Sequence, residues 1–402
     1  MRRLPVLAAV MMVAATSCGS SDGPPEAQST AVSRLHAMLD AAVADNTLVH
    51  GVALRVDSPA LDWQGAAGFA DVRAGIAMTP AHPVRVASNA KTYIAAAILR
   101  LAEQGRLDLD DPIERHLAQE HLELLRGDGY DTASITVRYL LTHTSGLFDH
   151  SAGEVYTEKI MANPSYHWTR TQQLAMAIEY GEPHGPPGAF FTYCDTGYIL
   201  LGEVVERASG RPMATAVREL IGYDALGLDS TWWELMEAVP AGTEDRAHQF
   251  LGEVDVTEYK PYYDLYGGGG IVATVGDLAR FWRGLFSGAV YRHPDTLPVM
   301  LTTVNGAAPI PDADEEAMPP GAYRMGLWEV EVAGHRAYRH TGFWGTSATW
   351  VPDLDLVVAL TVNQHDAKEV LDGIPEEVAW LVAGLPGTGE ARRAKPEPRR
   401  PG

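Results

Sequence analysis

Ser88 and Lys91 stand three residues apart at the start of an alanine-rich stretch, SNAKTYIAAAILRLAEQ. On a helix, residues at that spacing share a face about one turn apart, so the lysine amine can reach the serine hydroxyl. A serine hydroxyl is a poor nucleophile until a neighbouring base takes its proton. The partial positive charge of a helix N-terminus favours an anion developing there. The chain holds five lysines and fifteen serines, so about 0.2 Ser-x-x-Lys pairs are expected by chance, and this is the only one. By itself the pair reads equally well as a helix cap beside a solvated lysine.

Two further groups could join it. Tyr193-Cys194-Asp195 lies in PGAFFTYCDTGYILLGEVVE. A tyrosine near a lysine can act as a base if positive charge pulls its pKa below the usual value of about 10. Alone, an aromatic in such a stretch is more often packing. His340-Thr341-Gly342 precedes Phe343-Trp344-Gly345. Glycine lets a substrate backbone lie close along a strand edge, and the next amide can point at an oxyanion. A lone His-Thr-Gly triplet reads first as a turn.

These groups need elements to position them. Apolar residues at helical spacing predict a helix over Ala31–Ala44, and two strand-like runs follow at Gly51–Val56 and Leu61–Ala70. Ser88 opens the next helix, which Gly105 ends in the position a C-terminal cap prefers. From Leu107 to about Leu285 the pattern is mostly helical, with a clear helix at Tyr198–Ala208 followed by Gly210. Strand character returns at Tyr323–Val332, His335–His340, Ala348–Val351 and Leu356–Asn363. An amphipathic segment over Pro375–Leu385 closes the fold, with Pro375 suited to a first helical turn. Strands at both ends around a helical middle predict an α/β fold with an antiparallel sheet flanked by helices and a helical insertion. The α/β part covers about 31–105 and 290–386, and the helical part about 106–289. Both chain ends then meet in one sheet.

Composition bounds the function. A net charge of −21 argues against a nucleic-acid partner, whose phosphates would be repelled. The only cysteines are Cys18 and Cys194, with no Cys-x-x-Cys pair, and His116 and His121 are spaced five apart. No metal or cofactor is expected. At the N-terminus, Arg2 and Arg3 precede an apolar run from Leu4 to Ala15 and then Thr16-Ser17-Cys18. This has the order of a signal peptide over 1–17, too short to span a bilayer. The quartet ending at Cys18 resembles a bacterial lipoprotein box, which would lipidate that cysteine and anchor the chain to the membrane. Ala15 stands where leucine is more usual, so an ordinary signal-peptidase cut near it is the alternative. Residues 18–30 read as a Gly/Ser/Pro-rich tether, and 387–402 as a disordered Pro/Arg-rich tail.

Together, Ser-x-x-Lys, a Tyr-x-Asn-like triplet about a hundred residues later and a His-Thr-Gly strand motif near the C-terminus resemble the penicillin-recognising serine hydrolases. The match is to the branch of class C β-lactamases, DD-carboxypeptidases and related esterases, over about Thr47 to Val382. Similar supporting stretches are LDLDDPI, ITVRYLLTHTSGL, GGGGIVATVGDLARF and RHTGFWGTSATWVPD. They read as structural, including His143 as a packed loop residue. The resemblance implies that Ser88 attacks a carbonyl while Lys91 and Tyr193 share the proton work. It also implies an oxyanion hole from the N–H groups of Ser88 and Phe343, and a substrate-facing His340-Thr341-Gly342 strand. No Gly-x-Ser-x-Gly elbow exists.

Two departures matter. Asp195 stands where asparagine is common; an ionised carboxylate only accepts hydrogen bonds, so it should pair with Lys91 and weaken β-lactamase activity. His340 stands where β-lactamases of this branch carry lysine, and it is charged near pH 7 only if an anion raises its pKa. The expected function is an exported, lipid-anchored serine hydrolase acting on an ester or D-amino-acid amide, DD-carboxypeptidase-like or esterase-like. A β-lactamase and a non-catalytic penicillin or peptidoglycan sensor are the alternatives.

Overall fold

The computed structural model describes residues 26–304, 306–309, 322–365 and 367–385. Seven strands form one antiparallel sheet: β1 (Gly51–Asp57), β2 (Asp62–Asp71), β3 (Ile76–Ala77), β4 (Trp328–Val332), β5 (His335–Gly342), β6 (Thr346–Val351) and β7 (Leu356–Thr361). Their order across the sheet is β4-β5-β6-β7-β1-β2-β3. The N-terminal β1 therefore pairs with the C-terminal β7, Ala53 opposite Thr361 and Val56 opposite Val358.

Both central strands bury both faces, as their apolar runs require. In β7, Leu356, Val358 and Leu360 face one apolar core, and Val357 and Ala359 face the other. The first core lies under α1 (Glu26–Ala44) and the C-terminal helix Lys368–Ala383. The second lies under α2 (Ala90–Glu103), α3 (Asp195–Ser209) and α4 (Val275–Phe286), and extends into the helical region. The C-terminal helix is α5 below.

Four expectations need correction. The predicted tether to residue 30 ends sooner, because α1 starts at Glu26: Ala31 is buried, and Gln28 donates from Nε2 to the Ala60 carbonyl at 3.0 Å. Pro375 lies inside α5, not in its first turn. It cannot bond the Leu371 carbonyl one turn back, and Arg339 does so instead at 2.8 Å. The strand predicted from Tyr323 starts at Trp328, Tyr323 contributing an isolated bridge. The boundary at 289 also fails: α4 packs on β1, β6 and β7, and Ile271–Ala273 pairs with Val84–Arg85. Cys18, the signal segment and the tail at 387–402 lie outside the described residues.

Candidate active site

Ser88 sits in a single 3-10 turn, Ala87–Asn89, that leads into α2. Ala87 holds a φ of +46°, a conformation costly for a residue with a Cβ and maintained only by its surroundings. Asn89 donates from Nδ2 to the Val86 carbonyl at 3.1 Å and to Thr346 Oγ1 at 3.0 Å, and Thr346 donates back to Val86 at 3.0 Å. Gly342 lies against the same carbonyl, where any Cβ would collide with it. The nucleophile turn is thus stapled to β5 and β6.

Lys91 is fully buried one turn later and finds three partners, two hydrogen-bond acceptors and one ion-pairing carboxylate. They are Ser88 Oγ at 2.8 Å, the Gly268 carbonyl at 2.9 Å and Asp195 Oδ1 at 2.7 Å. Burial pulls the amine's pKa down, but attraction to Asp195 and Tyr193 outweighs it and the pKa ends above its ordinary value. Lys91 is an ammonium at rest.

Tyr193 lies between Phe190–Phe191 and α3, with its ring centroid 5.1 Å from Lys91 Nζ and stacked on Trp328. Its hydroxyl faces Lys91 and Ser88, both of which favour its ionised form. The expected downward shift of its pKa is not what the site produces. Burial pushes the phenol up to about 12, outweighing Lys91.

His340 also departs from expectation. It is buried behind Tyr193, its Nδ1–H donates to the Thr341 carbonyl at 2.7 Å, and Nε2 faces the Tyr323 hydroxyl at 3.3 Å. Burial, with Lys91 nearby, pulls its pKa down to about 3, so it is neutral and offers no charge to a substrate carboxylate. Thr341 is partly exposed, and Phe343 is exposed and stacked on His365 at 3.8 Å. Among the described residues, the N–H groups of Ser88 and Phe343 make none of the turn, loop or cap hydrogen bonds.

A cavity of about 290 Å³ opens on Ser88, Tyr193 and Phe343, and Asp149, Asp195 and Asp264 also line it. Of these acids only Asp195 was singled out from sequence. Asp149 and Asp264 come from separate loops, and nothing in their spacing joins them to Ser88. The Gly267–Gly270 run held a signal: a Cβ on Gly268 would lie 3.7 Å from Asp195 Oδ2 and 3.8 Å from Asp264 Oδ1. Such a run marks close backbone approach. His143, buried with φ +55°, accepts from the Cys194 N–H at Nδ1 (3.1 Å) and packs on Tyr193 at 4.3 Å. It is a packed loop residue that also fixes the backbone next to Tyr193.

A sheet made from both chain ends, with a Ser-x-x-Lys turn facing a tyrosine across a cleft, is the architecture of the penicillin-recognising proteins. The family model described as Beta-lactamase matches residues 38–378, and the chain belongs to that family. Among curated proteins it is similar to the esterase EstB of Burkholderia gladioli, 34% identical over 197 residues. That match covers 47% of this chain and 48% of EstB, so the chain spans about half the length of that relative. Among solved structures it is similar to a D-stereospecific amidohydrolase from Streptomyces sp. (29% identity, TM-score 0.69), covering 85% of this chain and 97% of the other. The D-amino acid amidase of Ochrobactrum anthropi, at 24% identity and TM-score 0.70 over 88% and 98% of the two chains, shares the fold.

Proposed function

We propose that this protein is an exported serine hydrolase that forms an acyl-enzyme on Ser88 and cleaves an ester or a D-amino-acid amide. The observation that carries the reading is the Lys91 ammonium, donating to Ser88 Oγ at the floor of a cleft that Tyr193 also lines. Because Lys91 occupies one lone pair of Ser88 Oγ, the hydroxyl proton is free to point at Tyr193. Tyr193, a neutral phenol at rest, first gives up its own proton to solvent; the phenolate then takes the Ser88 proton while Oγ bonds to the carbonyl carbon, and Lys91 stabilises the phenolate. The N–H groups of Ser88 and Phe343 receive the oxyanion. Tyr193 then gives its proton to the departing alcohol or amine, and repeats the cycle with water to release the acid. The names of EstB and the Streptomyces amidohydrolase support an ester or amide as substrate. Arg2, Arg3, the apolar run after them and the Cys18 quartet support export and lipid anchoring.

Intact-mass spectrometry of the mature protein tests both parts, with and without a fluorophosphonate and a penicillin. We expect one fluorophosphonate adduct per chain, mapping to Ser88 and absent from Ser88→Ala. An unlabelled native protein would move the reading to a non-catalytic sensor. The same spectrum reports the N-terminus: acyl chains on Cys18 support the anchor, and an unmodified chain beginning near Thr16 overturns it.

A further inference from the structure

The charge of the cleft points to a substrate class. Among the described residues, three carboxylates, Asp149, Asp195 and Asp264, line it, and no lysine or arginine does. Lys91 lies beneath the floor and is ion-paired with Asp195 at 2.7 Å, its charge reaching Asp149 and Asp264 only at longer range. Asp149 accepts hydrogen bonds only from its neighbour Ser151, at 2.9 and 3.0 Å. The Asp264 carboxylate has neither a hydrogen bond nor an ion pair among the described residues, although it is partly buried. Two arginines behind the wall are committed: Arg246 pairs with Glu234 at 3.4 Å and donates to the Thr257 carbonyl at 2.7 Å, and Arg85 is held likewise. Arg85 binds Glu234 at 2.7 Å and also holds the Val256 and Tyr259 carbonyls. Burial keeps His143, His150 and His340 neutral.

Among the described residues, Asp264 therefore has no ion pair and Asp149 only the neutral His150 imidazole at 3.8 Å, in a cavity that also holds the nucleophile. Besides Tyr193 and Phe343, the aromatic side chains of Tyr156, Tyr259, Tyr263 and Trp344 line the same cavity. Aromatic faces attract cations, and desolvated carboxylates gain most from a paired ammonium. We propose that this cleft selects substrates bearing an ammonium group, which Asp149 and Asp264 receive, and disfavours substrates bearing a carboxylate. The proposal rests on the reading of Ser88 as nucleophile and narrows its ester or amide to cationic members. It sets aside a peptide with a free C-terminal carboxylate, as well as a penicillin, because each would meet like charge. Burial pushes Asp149 and Asp264 each up to about 7, with Lys91 opposing and Asp195 adding to the shift, so each is partly ionised near pH 7 and an arriving ammonium favours the charged form.

The test is a set of three p-nitrophenyl esters of matched length: 6-aminohexanoate, heptanoate and the pimelate half-ester. We expect kcat/KM to fall about tenfold from cation to neutral and about tenfold again to anion. In Asp264→Asn and, separately, Asp149→Asn, the cation-to-neutral ratio should fall about fivefold or more. A native preference for the neutral or anionic ester, or a ratio that neither variant moves, overturns the proposal. Calorimetric titration with 2-phenylethylamine and with 3-phenylpropionate gives a second arm that needs no turnover. Binding of the amine alone supports the charge preference; binding of the acid, or of neither, overturns it. Absence of both ester turnover and Ser88 labelling would sink the hydrolase reading, and the calorimetry would still decide the charge preference.

Discussion

Asp195 has two effects at the residue scale. Its carboxylate, 2.7 Å from Lys91 Nζ, holds that amine protonated and adds negative charge to the wall. An asparagine would keep the shape, remove the charge and supply a donor. Asp195→Asn should therefore accelerate acylation of Ser88 by a penicillin about tenfold, the scale on which removing a like-charge contact acts. A time course of adduct mass checks this, and an unchanged rate would show that Asp195 does not limit β-lactam recognition. The residue scale is also where Ser88 and Lys91 were legible, because helical spacing alone puts them within reach. Lys91's other acceptors were not: Gly268 comes from a distant loop, and its backbone carbonyl carries no side-chain signal.

At the scale of elements, the nucleophile depends on how β5 and β6 grip the 3-10 turn before α2. Gly342 matters because its α-carbon packs against the Val86 carbonyl, which also accepts from Asn89 and Thr346. The colliding atom is backbone and cannot swing away. Gly342→Ala should cost about 1–3 kcal/mol in stability. It should also slow fluorophosphonate labelling of Ser88 by tenfold or more, since the turn must shift. A melting curve and a labelling rate on one preparation check both effects, and an unchanged pair would show that the turn yields freely. Sequence reading identified α2, α3 and the strands well, because each has strong local periodicity. It misplaced the starts of α1, α5 and β4, where tertiary partners decide. The Arg339 bond to the Leu371 carbonyl, for example, lets Pro375 stand inside a helix.

The whole molecule is held by its two ends. β1 lies between β7 and β2, so about 300 residues separate strands that hydrogen-bond as neighbours. A chain ending at residue 322 would lack β4 to β7, exposing Val52, Leu54 and Val56, which those strands help to bury. Circular dichroism of that fragment should show no cooperative thermal transition, and a sharp one would mean that the N-terminal portion folds alone. The cleft belongs to this scale too. Ser88 leads into α2, Tyr193 precedes α3, and Asp149 and Asp264 stand on separate loops.

The sequence by itself determined what is local: helix and strand periods, the Ser88–Lys91 reach, and the motif order that resembles one hydrolase family. Tertiary structure alone decided which groups share a dielectric environment. It buried His340 behind Tyr193, where it is neutral, and raised the Tyr193 phenol despite the nearby ammonium. It also gathered three aspartates around one lysine. Burial and through-space charge set those properties, and both depend on distances between residues far apart in the chain.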